Sequence, residues 1–252
     1  MWQPIVAFRS AHIKNSHARL AFEVLPQPDD VTCGPTCLHA VYRYWGHELP
    51  LSRVIDEIPP LPEGGTLAVD LGCHALRQGF SAQIYTYNLQ LFDPSWFRAD
   101  VDLAERLQLQ RRSKRDQKLS IATDAYLDFL ELGGEVKYEE LSSSLVRRFI
   151  RRGLPVLTGL SATYLYGCER EADGEYDDVQ GHPTGHFVVV CGDDRESRKV
   201  MVADPLHENP SYDSHYYSVD TTRLIASILL GVITYDANLL IIAPQAAPNE
   251  SN

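Results

Sequence analysis

Three residues of this chain have the types and spacing to break an acyl bond: Cys33, His186 and Asp204. A thiol becomes a strong nucleophile when a base holds its proton. An imidazole serves as that base, and a carboxylate fixes the imidazole's tautomer. Paired in this way, cysteine and histidine exist as thiolate and imidazolium near neutral pH. Gln27, six residues before Cys33, is placed to offer a side-chain N–H to the oxyanion formed when a carbonyl is attacked.

These residues need elements to position them. The stretch Gln27-Pro28-Asp29-Asp30-Val31-Thr32-Cys33-Gly34-Pro35-Thr36-Cys37 is a turn-rich approach that becomes helical at the cysteine. Leu38, Val41, Tyr42 and Trp45 recur at i, i+3, i+4, i+7, the apolar face of a helix. Pro35 suits its first turn and Gly46 its stop. Cys33 is therefore expected at a helix start, where partial positive charge favours a thiolate and free N–H groups can receive an oxyanion. About 150 residues on, Gly185-His186 opens the apolar run Phe187 to Cys191, a buried strand. Asp193 to Arg198 reads as a turn and Lys199 to Pro205 as the return strand, so His186 and Asp204 come to the same end of a hairpin. Gly34 and Gly185, beside the nucleophile and the base, are the substrate-binding candidates.

Other reactive types have plainer readings. Cys37, one turn into the helix, is expected to lie buried behind Cys33, and Cys191 in the core. His39 and His74 lie inside helical patterns as structural or surface residues. His182 falls in a loop and is a poor base. Asp193 and Asp194 read as turn residues. The five cysteines fit no zinc spacing, and no metal or cofactor is expected.

Along the rest of the chain, Arg19 to Leu25 reads as a strand and Leu51 to Ile58 as a short helix. Thr66 is a candidate N-cap for a helix reaching Gly79, and Phe80 to Tyr87 alternates as a strand. Residues 93–132 form a helical insertion, and the basic run at 111–115 is its solvated helix end. Val136 to Tyr138 is a short strand, Ser142 to Arg152 a helix, and Leu154 to Leu160 a strand. Residues 167–184 make a polar, acidic loop without calcium-ligand spacing, long enough to act as a lid. The apolar stretch 224–243 is interrupted by Asp236 and Asn238. It therefore reads as a helix, Thr221 to Leu230, a turn and a core strand, Leu239 to Ala243, rather than a membrane span.

A chain of 252 residues with a net charge of −11 is a globular protein with little affinity for nucleic acid. Met1 to Arg9 lacks the basic-then-apolar pattern of a signal peptide, so the expected location is the cytoplasm.

Gln27, Asp29-Asp30, Cys33-Gly34-Pro35-Thr36-Cys37, Gly185-His186-Phe187-Val188-Val189-Val190 and Ala203-Asp204-Pro205 resemble the motifs of family-39 cysteine peptidases. These are papain-like enzymes whose best-known members remove double-glycine leaders from bacteriocin precursors. The resemblance covers about residues 23–46 and 183–206. It implies an α+β papain-like fold, a helical part carrying Cys33 packed on an antiparallel sheet carrying His186 and Asp204. It also implies Cys33 as nucleophile, His186 as base, Asp204 as its orienter and Gln27 in the oxyanion hole. The helical stretch 93–132 and the acidic loop 167–184 depart from the pattern. The expected organisation is one domain, 1–252, with that insertion. The expected activity is a peptidase or amidase acting on a peptide or protein substrate, away from membranes. The alternatives are an acyl or peptidyl transferase and a catalytically silent peptide-binding module.

Overall fold

Helix α1 (Cys33–Tyr44) begins at Cys33 itself and buries its first ten residues, from Cys33 to Tyr42. Gly46 follows in the left-handed conformation that ends a helix cheaply. The computed structural model describes residues 17–62 and 64–245, so the reading of the N-terminal segment Met1 to Arg9 lies outside them.

In chain order the described elements are β1 (His17–Arg19), α1, α2 (Leu51–Glu57), α3 (Ala68–Arg77), β2 (Phe80–Thr86), a 3-10 turn (Pro94–Phe97), α4 (Leu103–Ser113), α5 (Gln117–Glu131), β3 (Glu135–Lys137) and α6 (Ser143–Arg151). There follow β4 (Val156–Ser161), α7 (Ala162–Tyr166), β5 (Glu171–Ala172), β6 (Glu175–Tyr176), β7 (Gly185–Asp194), β8 (Lys199–Ala203), β9 (Tyr216–Asp220), α8 (Thr221–Leu230), a second 3-10 turn (Gly231–Thr234) and β10 (Asn238–Pro244).

The class is α+β. The main sheet runs β3-β2-β10-β4-β7-β8-β9, with β1 added to β7. Its pairs are antiparallel except β2 with β3, which is parallel. Strand β7 is buried on both faces, which explains its unbroken apolar run. On one face Phe187, Val189 and Leu240 pack with α1, α3 and the 93–132 helices through Leu38, Leu71, Leu107, Tyr126 and Phe129. On the other, Val188, Val190 and Val202 pack with α6 and α8 through Leu145, Phe149, Leu224 and Ile228.

Several local expectations are corrected. Among the described residues before α1, His17–Arg19 pair as a strand, so the expected strand at Arg19 to Leu25 does not continue beyond Arg19. Thr66 does not cap α3: the helix starts at Ala68 after Leu67, with no side-chain cap. Asp193 and Asp194 belong to β7 rather than to the turn. Asp193 is buried and receives the Arg147 guanidinium at 2.9 Å, so the arginine reaches across from α6 instead of facing solvent. Within the loop 167–184, β5 and β6 form a small hairpin, and His182 bridges back to Glu171.

Candidate active site

The site is built at the point where the start of α1 meets the start of β7. Thr32 precedes the helix without a side-chain cap, so the first N–H groups of α1 are not consumed by one. Cys33 is 8% exposed there and His186 6%, while Asp204 is fully enclosed. His186 Nε2 lies 2.8 Å from Asp204 Oδ1. An ionised carboxylate only accepts, so Nε2 carries the hydrogen and Nδ1 is the nitrogen left for the thiol. The Cys33 side chain faces the imidazole and is one of the two groups that raise its pKa.

The parity that puts His186 and Asp204 together comes from a β-bulge. The β7–β8 register pairs Gly192 with Met201 but Val190 with Val202, a slip of one residue at Cys191. Extending the second register by one places Asp204 opposite Val188, on the same face as His186. Without the slip, Asp204 would lie opposite Val189 and its carboxylate would face away from the imidazole. Gly192 at the bulge has no room for a side chain, because a Cβ there would lie 2.8 Å from the Met201 Cβ.

Asp204 is heavily held. Its Oδ2 accepts from the hydroxyls of Tyr166 at 2.8 Å and Tyr217 at 2.6 Å and from Asn209 Nδ2 at 3.2 Å. Its Oδ1 also accepts from the Leu206 N–H at 3.0 Å. Tyr212 stacks on Tyr217 at 3.7 Å between ring centres, locking that donor. Burial alone would push the Asp204 carboxyl up. The His186 charge and these hydrogen bonds outweigh it and hold the carboxyl below its ordinary value. Burial likewise works against charge on His186, yet the facing Asp204 and Cys33 raise its pKa to about 10. The arrangement favours the imidazolium over the neutral ring.

The remaining sequence candidates divide. Gln27 is tied beside Asp204 through its backbone N–H, which donates to the Pro205 carbonyl at 2.9 Å. Its Nε2 donates to the Asp29 carbonyl at 2.8 Å, and its Oε1 is buried without a partner. Gly185 lines the cleft. Gly34 instead packs inward, where a Cβ would stand 3.3 Å from the Phe187 ring. Its smallness lets α1 approach β7. Cys37 is fully buried behind Cys33, donates to the Phe187 carbonyl at 3.3 Å, and has its thiol pKa pushed well up by burial. His74 is a structural residue, bonded to Tyr42 at 2.7 Å and Glu57 at 3.1 Å.

A cleft of about 400 Å³ opens over Cys33 and His186. Its lining includes Glu171, Asp173 and His182 of the acidic loop together with Leu61, Gly64 and Thr66. Lys118, from the helical insertion, and Asp236 complete the lining. Sequence reasoning missed Tyr166, Asn209, Tyr217 and Asp236. Only Asp236 left a signal, as a charge inside an apolar stretch. No group of three or more His, Cys, Asp or Glu residues suited to a metal occurs among the described residues. Nor is any described helix long and apolar enough to cross a membrane.

No family model and no curated protein sequence matches the chain. Among solved structures, it is similar to a double-glycine motif protease from an AMS/PCAT transporter, solved with its leader peptide. That match has 13% identity and a TM-score of 0.42, and covers 90% of this chain and 95% of the other. A second match is the peptidase domain of Streptococcus ComA, a bifunctional ABC transporter involved in quorum sensing, at 14% identity and TM-score 0.43, covering 88% and 98%. A third is xylellain, a cysteine protease from Xylella fastidiosa, at 15% and 0.45, covering 92% and 87%. At such identities the chemistry has to be argued from this chain's own residues.

Proposed function

We propose that this chain is a cysteine peptidase or amidase that cleaves a peptide or isopeptide bond through a thioester on Cys33. The observation that carries the reading is the enclosed His186–Asp204 pair facing a cysteine at a helix start, inside an open cleft. In this reaction the Cys33 thiolate attacks the substrate carbonyl and forms a tetrahedral oxyanion. The first N–H groups of α1 receive that oxyanion, together with the Gln27 Nε2 hydrogen not given to Asp29. The His186 imidazolium then passes its Nδ1 proton to the departing amine as the C–N bond breaks. The imidazole next takes a proton from water, which attacks the thioester, releasing the acid and restoring the thiol proton to the pair. Asp204 holds the ring orientation and the Nε2 hydrogen throughout. The location stays proposed as the cytoplasm and the substrate as a peptide or protein.

The test is turnover of an internally quenched peptide library by the wild type, Cys33→Ser and His186→Ala, with intact-mass detection of an acyl adduct on Cys33 and with and without an added amine. Cleavage that falls on the order of 10³-fold or more in both variants is expected. Acid products identify a peptidase, whereas amide products formed only with the added amine identify a transferase. Cleavage that survives Cys33→Ser, or a wild type that neither cleaves nor acylates, overturns the proposal.

A further inference from the structure

Asp236 is a buried carboxylate in the cleft that the proposed chemistry does not use. It is 5% exposed and lines the cleft with Cys33 and His186. Its Oδ2 accepts from the Thr234 hydroxyl at 2.9 Å, but its Oδ1 is buried with no hydrogen-bond partner. A buried carboxylate oxygen left unpaired is costly, so it is rarely tolerated without a purpose.

The chain is bent to put it there. Tyr235 and Ala237, on either side, both adopt left-handed backbone, at φ 69° and 65°. Each such non-glycine residue is strained and persists where the surroundings enforce it. Here they do. Asn88 Nδ2 donates to the Tyr235 carbonyl, the Tyr87 N–H to that of Ala237, and the Asp236 N–H to that of Gly231. Room for the carboxylate is made by two glycines of the sheet: a Cβ on Gly159 would stand 2.5 Å from Oδ1 and one on Gly185 3.0 Å from Oδ2. Strand β7 therefore carries glycine immediately before His186, on the face where Asp236 lies.

We propose that Asp236 is a specificity-determining residue of this cleft, its carboxylate pairing with a lysine or arginine side chain that flanks the scissile bond of the substrate. The inference rests on the peptidase reading and names its substrate class. Asp30, Glu171 and Asp173 line the same cleft and give it an acidic rim along which a basic side chain is drawn inward. Lys118 is the opposing charge: its Nζ sits 5.1 Å over the Tyr235 ring and it faces Asp236, as does His186. Lys118 does not satisfy Oδ1. A carboxyl pushed up to about 7 by burial is also one that an incoming cation would ionise fully.

The test needs no known substrate. Cys33 is modified with methanethiosulfonates bearing an aminoethyl (cationic), a methyl (neutral) or a sulfonatoethyl (anionic) group. The thiolate attacks the reagent's sulfenyl sulfur, methanesulfinate leaves and a mixed disulfide forms. Rates at Cys33 are read by peptide mass mapping at about 0.5 M salt, where the Debye length has shrunk to about 4 Å and rim attraction is screened. In the wild type, a cation-over-neutral rate ratio of about tenfold is expected, the size of one charge-assisted hydrogen bond. It should fall toward one in Asp236→Asn, whatever that substitution does to the absolute rates. Glu171→Gln and Asp173→Asn, being nearer solvent, should move the ratio by about twofold or less. A wild-type ratio near one at high salt overturns the proposal, even if Asp236→Asn does not fold. So does a ratio that Asp236→Asn leaves unchanged. A Cys33 that reacts sluggishly with every reagent defeats the peptidase reading instead, and the ratio is measurable in that case too.

Discussion

At the scale of single residues, the account depends on how firmly Asp204 is held. Four donors besides His186 converge on one carboxylate. Asp204→Asn keeps the shape but presents the wrong partner to Nε2. Turnover is expected to fall on the order of 10³-fold with little change in KM, measured by steady-state kinetics on any cleaved peptide. Tyr217→Phe removes one donor from a buried charge, at about 1–3 kcal/mol. With Asp204 then less firmly ionised, the His186 pKa should move down from about 10, seen by NMR titration of the imidazole. Asp236 shows the opposite balance. Its pKa is raised to about 7 by burial, so its stabilising, protonated form is complete below about 3.8 and is lost as pH rises through 7. Asp236→Asn should therefore raise the free energy of unfolding at pH 8, read from urea titration, by on the order of 2 kcal/mol, and hardly at pH 4. Cys33, His186 and Asp204 were legible because their types and order carry meaning along the chain. Tyr166, Asn209 and Tyr217 were not, because nothing local marks a tyrosine or asparagine as a donor to a distant carboxylate.

Among the elements, α1 and the β7–β8 hairpin were legible from their periodicity and punctuation. The bulge that sets their parity was not, since a one-residue slip depends on cross-strand geometry and leaves no trace in an apolar run. The same limit applies to α3: Thr66 has the chemistry of a cap, yet the helix begins one residue too late for it, with Leu67 at the N-cap. Residues 167–184 read as a polar, acidic loop without strands because β5 and β6 are two residues each, too short to show alternation. As that loop walls the cleft, replacing residues 169–179 with a short Gly–Ser linker should change which library peptides are cleaved while Cys33 alkylation persists. An unchanged cleavage profile would deny the loop a role in recognition. The α1–α3 contact carries its own pH sensitivity. Burial lowers the His74 pKa against the pull of Glu57, so the neutral ring that bonds Tyr42 is favoured. This contribution is present above about pH 6.5 and is lost as pH falls through the lowered value. The urea midpoint should drop between pH 7 and 5, and His74→Asn should flatten part of that slope.

For the molecule as a whole, two cores on opposite faces of one sheet grip β7 and leave its first residues at the cleft. The helices of residues 93–132 contribute to one of those cores and also deliver Lys118 to the site, so they both support the fold and shape the cleft. The chain carries a net charge of −11, and Asp30, Glu171 and Asp173 line the opening. For a basic peptide, kcat/KM should fall several-fold between about 0.05 and 0.5 M salt, mostly through KM, and for a neutral peptide it should stay level. The central claim is that Cys33 and His186 work as a charged pair. The most direct measurement is the iodoacetamide alkylation rate of Cys33 against pH, mapped by mass spectrometry in the wild type and in His186→Ala. The account expects rapid labelling of Cys33 already at pH 6, far ahead of Cys37 and Cys191, and loss of that reactivity in the variant. A Cys33 that labels only as an ordinary thiol of pKa about 8.5 does, with His186 making no difference, would contradict it.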